Sequence, residues 1–151
     1  MNPKTIKRIV VATDFSELSA EVIDTAVAFA RDSGATVDLV HVTAEMAYAV
    51  PPPMDVIQVP VDVSKVMAEA TARLDEAQER VRALGLVCEG SLLVGRADTE
   101  IVEHAAKTKA DLIILGTHGR SGLGHALLGS IAEKVVQHAH CPVLTLPMHH
   151  A

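Results

Sequence analysis

The sequence predicts an open, doubly wound α/β fold: a parallel five-stranded sheet with helices on both faces. Three observations carry that expectation. Short runs rich in Val, Ile and Leu alternate with longer stretches whose apolar residues recur at helical spacing. Read along the chain, the order is βαβαβαβαβ, which calls for parallel strands joined by right-handed crossovers. The strand runs are continuously apolar, as in a sheet covered on both sides. The chain has 151 residues, 49% apolar and 21% charged, enough for one ordinary domain with its own core. Neither a linker nor an internal repeat divides it, so a single domain over residues 1–151 is expected.

The elements follow in order. Arg8–Thr13, rich in β-branched residues, reads as a buried strand ending at Asp14. A helix runs from about Glu17 to Ser33, with Val22, Ile23, Ala26, Val27 and Ala30 on one face and Gly34 closing it. Thr36–Val42 is the second strand. Residues 44–63 carry Pro51, Pro52, Pro53 and Pro60, which forbid regular helix or a central strand, so this is a long connecting loop. The longest helix spans about Val63 to Leu84 and stops at Gly85. The third strand runs from about Val87 to Val94, a turn falls at Gly95-Arg96, and Ala97–Lys107 is a short helix. Asp111–Leu115 is the fourth strand, followed by a glycine-rich loop over Gly116–Gly129. Ser130–His138 is the last helix and Val143–Leu146 the fifth strand.

Composition narrows the function. The net charge is −6 and the only aromatic residues are Phe15, Phe29 and Tyr48, so neither a basic footprint nor base-stacking platforms are expected, and nucleic acid is a poor partner. No apolar run reaches the roughly 18 residues a membrane helix needs. The amino-terminal stretch shows no secretory h-region, and Cys88 and Cys141 lack a partner at redox or metal spacing. A reduced, cytoplasmic protein is the expectation.

Open α/β sheets bind ligands outside the carboxyl ends of their strands, where the strand order reverses. A strand order of 3-2-1-4-5 sets strands one and four side by side. The loop Thr13-Asp14-Phe15-Ser16 and the loop beginning Gly116-Thr117-His118-Gly119-Arg120 would then border one crevice. Glycines let a backbone approach an anion closely, and Gly129-Ser130 opens a helix whose free N–H groups and dipole favour negative charge. Each feature has a plainer reading. Ser130 and Glu133 have capping-box spacing, as do Asp14 and Glu17. Arg120 faces either phosphate oxygens or solvent, and His118 is either a base or a residue turned to ligand or solvent. No P-loop, no G-x-G-x-x-G after the first strand and no nucleophile elbow is present. The eight histidines form no convincing ligand set.

Gly116-x-x-Gly119, nine residues, then Gly129-Ser130 resembles the G-2x-G-9x-G-[S/T] signature of ATP-binding universal stress proteins. Ala12-Thr13-Asp14-Phe15-Ser16 resembles that family's first-strand motif, His41-Val42 the end of its second strand, and Cys141-Pro142-Val143-Leu144 its closing strand. The similarity covers essentially the whole chain. It implies a Rossmann-like fold with strand order 3-2-1-4-5 and ATP in the crevice, with Mg²⁺ able to accompany the phosphates. Carried over, Asp14 with Ala12 and Thr13 would line the adenine and ribose side, and Val42 would meet adenine through its backbone. Leu115, Gly116, His118, Gly119 and Arg120 would follow ribose and phosphates, and Gly129, Ser130 and Ile131 would hold the phosphates. The resemblance also implies a homodimer paired through Val143, Leu144, Thr145 and Leu146, an apolar edge otherwise open to pairing. Two departures stand out. The proline-rich loop at 44–63 is a candidate lid, and Gly122 and Gly124 make the phosphate loop more glycine-rich than the signature requires.

The expected function is that of an ATP-binding stress-response sensor or regulator working with an unidentified protein partner. With no dedicated base and no carboxylate pair, no catalytic residue is assigned. The alternatives are a nucleotide-independent dimeric interaction module and a slow ATPase or autophosphorylating protein using His118 and Ser130.

Overall fold

A computed structural model describes residues 5–43, 62–117 and 128–147. Five parallel strands form one sheet in the order β3-β2-β1-β4-β5. They are β1 (Arg8–Ala12), β2 (Thr36–Thr43), β3 (Cys88–Val94), β4 (Leu112–Gly116) and β5 (Val143–Leu146). The connecting helices are α1 (Glu17–Ser33), α2 (Val63–Ala83), α3 (Ala97–Lys107) and α4 (Ser130–His138). Every predicted strand and helix is present, with ends moved by a residue or two: Thr13 and Asp111 lie outside their strands, and Thr43 and Gly116 lie inside theirs.

The order explains the layers. From β1 the chain steps outward to β2 and β3, then crosses back to β4 and on to β5. Right-handed crossovers that reverse direction put α1 and α2 on one face and α3 and α4 on the other. The packing obeys this. Ile9, Val11, Val37 and Leu39 join Val22, Ala26, Leu74 and Val81 in one cluster, while Val10, Val40, Ile113 and Leu115 join Ile101, Ala105, Ala132 and Val135 in the other. Neighbours in one strand therefore serve opposite cores, which is why the strands are apolar throughout. Ile9, Val10, Val11, Ile113 and Ile114 are all at 0% exposure, and each such side chain contributes about 1.5–3 kcal/mol.

The helix ends follow local rules. α1 starts behind Ser16, whose hydroxyl accepts from the Ser19 N–H at 3.3 Å, and stops at Gly34, left-handed at φ 72°. Asp14 is therefore not the cap of α1, although its spacing to Glu17 allows a capping box. α2 begins behind Asp62, whose carboxylate accepts from the Lys65 N–H at 3.2 Å. At the far edge of the sheet the Cys88 carbonyl, which faces away from β2, accepts from Gln78 Nε2 at 3.2 Å and Arg82 Nε at 3.0 Å. Those bonds from α2 occupy a group that an incoming strand would use.

The amino end of the sheet holds a charge cluster. Asp38, 1% exposed, accepts through Oδ2 from Arg8 Nη1 at 3.2 Å and pairs with His104 Nε2 at 2.9 Å. Arg8 also reaches Glu89 at 2.8 Å. The cluster ties β1, β2, β3 and α3 together, at the end of the sheet remote from the crevice.

Candidate functional site

β1 and β4 are neighbours, and the chain leaves their carboxyl ends in opposite directions, so a crevice opens between them. The loop after β1 is held from several sides. The Thr13 N–H donates to the Val40 carbonyl at 2.9 Å, and Thr13 Oγ1 accepts from the Phe15 N–H at 3.1 Å. His41 Nδ1 lies 2.7 Å from the Thr13 carbonyl. A carbonyl only accepts, so this bond fixes the imidazole proton on Nδ1. Phe15 adopts φ 63°, a left-handed conformation that costs a bulky residue on the order of 1 kcal/mol or more. Its ring rests 4.4 Å from the His41 ring, and the Arg73 guanidinium carbon lies 5.8 Å from its centre. Residue 15 is turned away in this manner, and Asp14 is left at the crevice. Asp14 Oδ1 accepts from the Ser16 N–H at 3.0 Å and from the Ser19 hydroxyl at 2.6 Å.

The opposite wall is the start of α4. The Gly129 N–H donates to the Thr117 carbonyl at 2.7 Å, and the Thr117 N–H donates to the Leu146 carbonyl at 2.9 Å, so α4 is anchored to the end of β4. Gly129 is the N-cap residue and Ser130 is the first helical residue. The S-x-x-E box is thus not formed: the capping position carries no side chain. The first N–H groups of a helix have no partner within it, and with the helix dipole they make this end receptive to an anion.

Between the walls lies a cavity of about 390 Å³. Ala12, Thr13, Asp14, Val42, Leu115, Gly116, Gly129, Ser130 and Ile131, all expected from the sequence, line it together. His118, Gly119 and Arg120, and the loop glycines Gly122 and Gly124, lie outside the described residues, as does nearly all of the proline-rich segment 44–63. Sequence reasoning missed Leu18, Ser19, Val40, His41, Ala97, Ile101 and Ala132 among the lining residues. Ser19 left only a weak trace, a polar residue beside Leu18 and three before Val22 on the apolar face of α1; that it is buried, at 6% exposure, is seen only in the structure. Ala97 and Ile101 are one turn apart on α3 and reach the cavity because α3 packs across β2. That is a tertiary fact no local pattern carries.

The cavity has two chemistries. Val40, Val42, Ala97, Ile101 and Leu115 form an apolar side, and Asp14 with the Gly129–Ile131 turn supplies an acceptor and N–H donors. Among the described residues no three His, Cys, Asp or Glu side chains converge as a metal site, and no helix is long and apolar enough to cross a membrane.

Comparison with known proteins agrees with this geometry. Residues 5–147 match the model of the universal stress protein family. A universal stress protein of Methanocaldococcus jannaschii is 35% identical over 140 residues, covering 93% of this chain and 81% of that protein. A universal stress protein solved in complex with cAMP superposes with a TM-score of 0.71 at 26% identity, over 97% of this chain and 100% of that one. The universal stress protein of Archaeoglobus fulgidus, solved in complex with dAMP, gives a TM-score of 0.67 at 27% identity, over 94% and 98%. On fold, site and sequence together, the chain belongs to the universal stress protein family.

Proposed function

We propose that this protein binds an adenine nucleotide, ATP in the first instance, in the crevice between β1 and β4, and that occupancy regulates a stress response through a protein partner. The observation that carries the reading is the two-ended cavity: a carboxylate at one wall and a helix N-terminus at the other, with an apolar side between them. Its volume of about 390 Å³ lies within the roughly 300–1,000 Å³ range of ligand pockets. Apolar side chains suit a base, and Val42 at the end of β2 offers backbone groups to its edge. Asp14 repels phosphate and accepts from hydroxyl or amino groups, so the nucleoside belongs on its side. Gly129, Ser130 and Ile131 belong to the phosphates. Leu115, Gly116, His118, Gly119 and Arg120 complete the phosphate and ribose side on the strength of the glycine signature. Mg²⁺ accompanies the phosphates as a counterion. The relatives solved with cAMP and dAMP support the adenine nucleotide class.

We assign the protein no catalytic residue and read it as a cytoplasmic single domain. β5 pairs with β4 on one side, and its half-buried residues Val143, Leu144, Thr145 and Leu146 are the proposed homodimer contact.

The test is direct. Denaturing protein purified without added nucleotide and analysing the released small molecules by mass spectrometry should yield an adenine nucleotide, or titration with Mg-ATP should show saturable binding. Gly129→Val should abolish that binding while the fold persists. Unchanged affinity in Gly129→Val would remove α4 from the site.

A further inference from the structure

We propose that Ser19, on the first turn of α1, is a positioning residue for nucleotide recognition that acts through Asp14. The inference rests on the reading of the crevice as a nucleotide site and goes beyond it in assigning a residue no motif marks. Ser19 is 6% exposed and sits on the face of α1 that is otherwise built from Leu18, Val22 and Ala26. An apolar residue would serve that face, so the hydroxyl has another task. Its bonds show which. Ser19 Oγ accepts from the Asp14 N–H at 3.0 Å and donates to Asp14 Oδ1 at 2.6 Å. One buried hydroxyl therefore grips both the backbone and the carboxylate of the same residue. The Ser16 N–H adds a second donor to Oδ1 at 3.0 Å, and Ser16 Oγ lies 3.3 Å from Ser19 Oγ.

The physical consequence is a carboxylate held in one orientation before any ligand arrives. A short hydroxyl bond to a carboxylate is among the stronger hydrogen bonds in proteins. Holding a recognition group in its bound position reduces the ordering cost that binding would otherwise incur. Ser19 lines the cavity, and its hydroxyl is committed to Asp14 as both acceptor and donor, so its contribution reaches the ligand through that residue.

A double-mutant cycle on nucleotide affinity tests this, with ATP and AMP as probes and Mg²⁺ present. Ser19→Ala should weaken binding by about tenfold, the scale of one charge-assisted hydrogen bond. In the Asp14→Ala background the same substitution should change affinity by less than about twofold, because no carboxylate remains to position. Val22→Ala provides the control for stability alone: it lies on the same helix face outside the cavity and should lower the melting temperature without changing the dissociation constant. If Ser19→Ala does not fold, Ser19→Cys, close in size and only a weak hydrogen bonder, carries the same cycle. Equal loss with and without Asp14, or no loss in the wild-type background, would overturn the proposal while leaving the nucleotide site standing. Absence of binding by the unaltered protein would overturn both.

Discussion

Asp38 is a carboxylate almost wholly removed from water, and the chain supplies it with Arg8 from β1 and His104 from α3. Taking away one of its two partners is costly, so Arg8→Met, which leaves His104 on the carboxylate, should destabilise the fold by about 2 kcal/mol, read from urea unfolding. Arg8 also holds the Glu89 carboxyl below the usual range, chiefly through their hydrogen bond. A lowered folded-state value means that the pair's stabilisation is present above the ordinary glutamate range and fades as the pH falls through the lowered one. Glu89→Gln should therefore lower stability in the neutral region and converge with the unaltered protein at acid pH, which flattens the acid limb of the stability profile; an unaltered acid limb would remove Glu89 from that account. Burial pushes the neighbouring Cys88 thiol up to about 11. At neutral pH it is a thiol and not a thiolate, so alkylation of native protein by iodoacetamide should spare Cys88 until the chain unfolds.

Among the elements, the glycines show what local pattern can and cannot say. Gly95 has φ 145°, and a side chain there would lie 2.7 Å from Glu100 Oε1, so Gly95→Ala should cost about 1–3 kcal/mol through backbone strain, measurable as a lower melting temperature. Gly129, with φ −60°, tolerates a side chain conformationally. It lines the cavity at the start of α4, which is why Gly129→Val should act on the ligand more than on folding. The sequence displayed both glycines equally; only the backbone separates the roles. The capping boxes at Asp14 and Ser130 were legible as patterns yet misplace the caps, which fall on Ser16 and Gly129, since cap position depends on where the preceding strand releases the chain. Strands and helices, by contrast, announced themselves through apolar runs, helical spacing and glycine stops, because those signals are local.

At the scale of the molecule, strand order determines where ligand chemistry can occur. Alternating elements predicted parallel strands, and the reversal between β1 and β4 brought the described ends of the two marked loops to one crevice, so the crevice and half of its lining were readable in advance. The reach of α3 into the cavity and the grip of Ser19 on Asp14 were not, because both arise from packing between distant or unpatterned residues. A fold whose two cores meet through one sheet should couple crevice occupancy to global stability. The most direct test of the central claim is a thermal and denaturant unfolding measurement with and without Mg-ATP. At free nucleotide about 100 times the dissociation constant, the account predicts stabilisation of about 2.7 kcal/mol, diminished in Asp14→Ala and absent in Gly129→Val. An unfolding curve unmoved by saturating Mg-ATP, in protein shown to carry no nucleotide from purification, would contradict it.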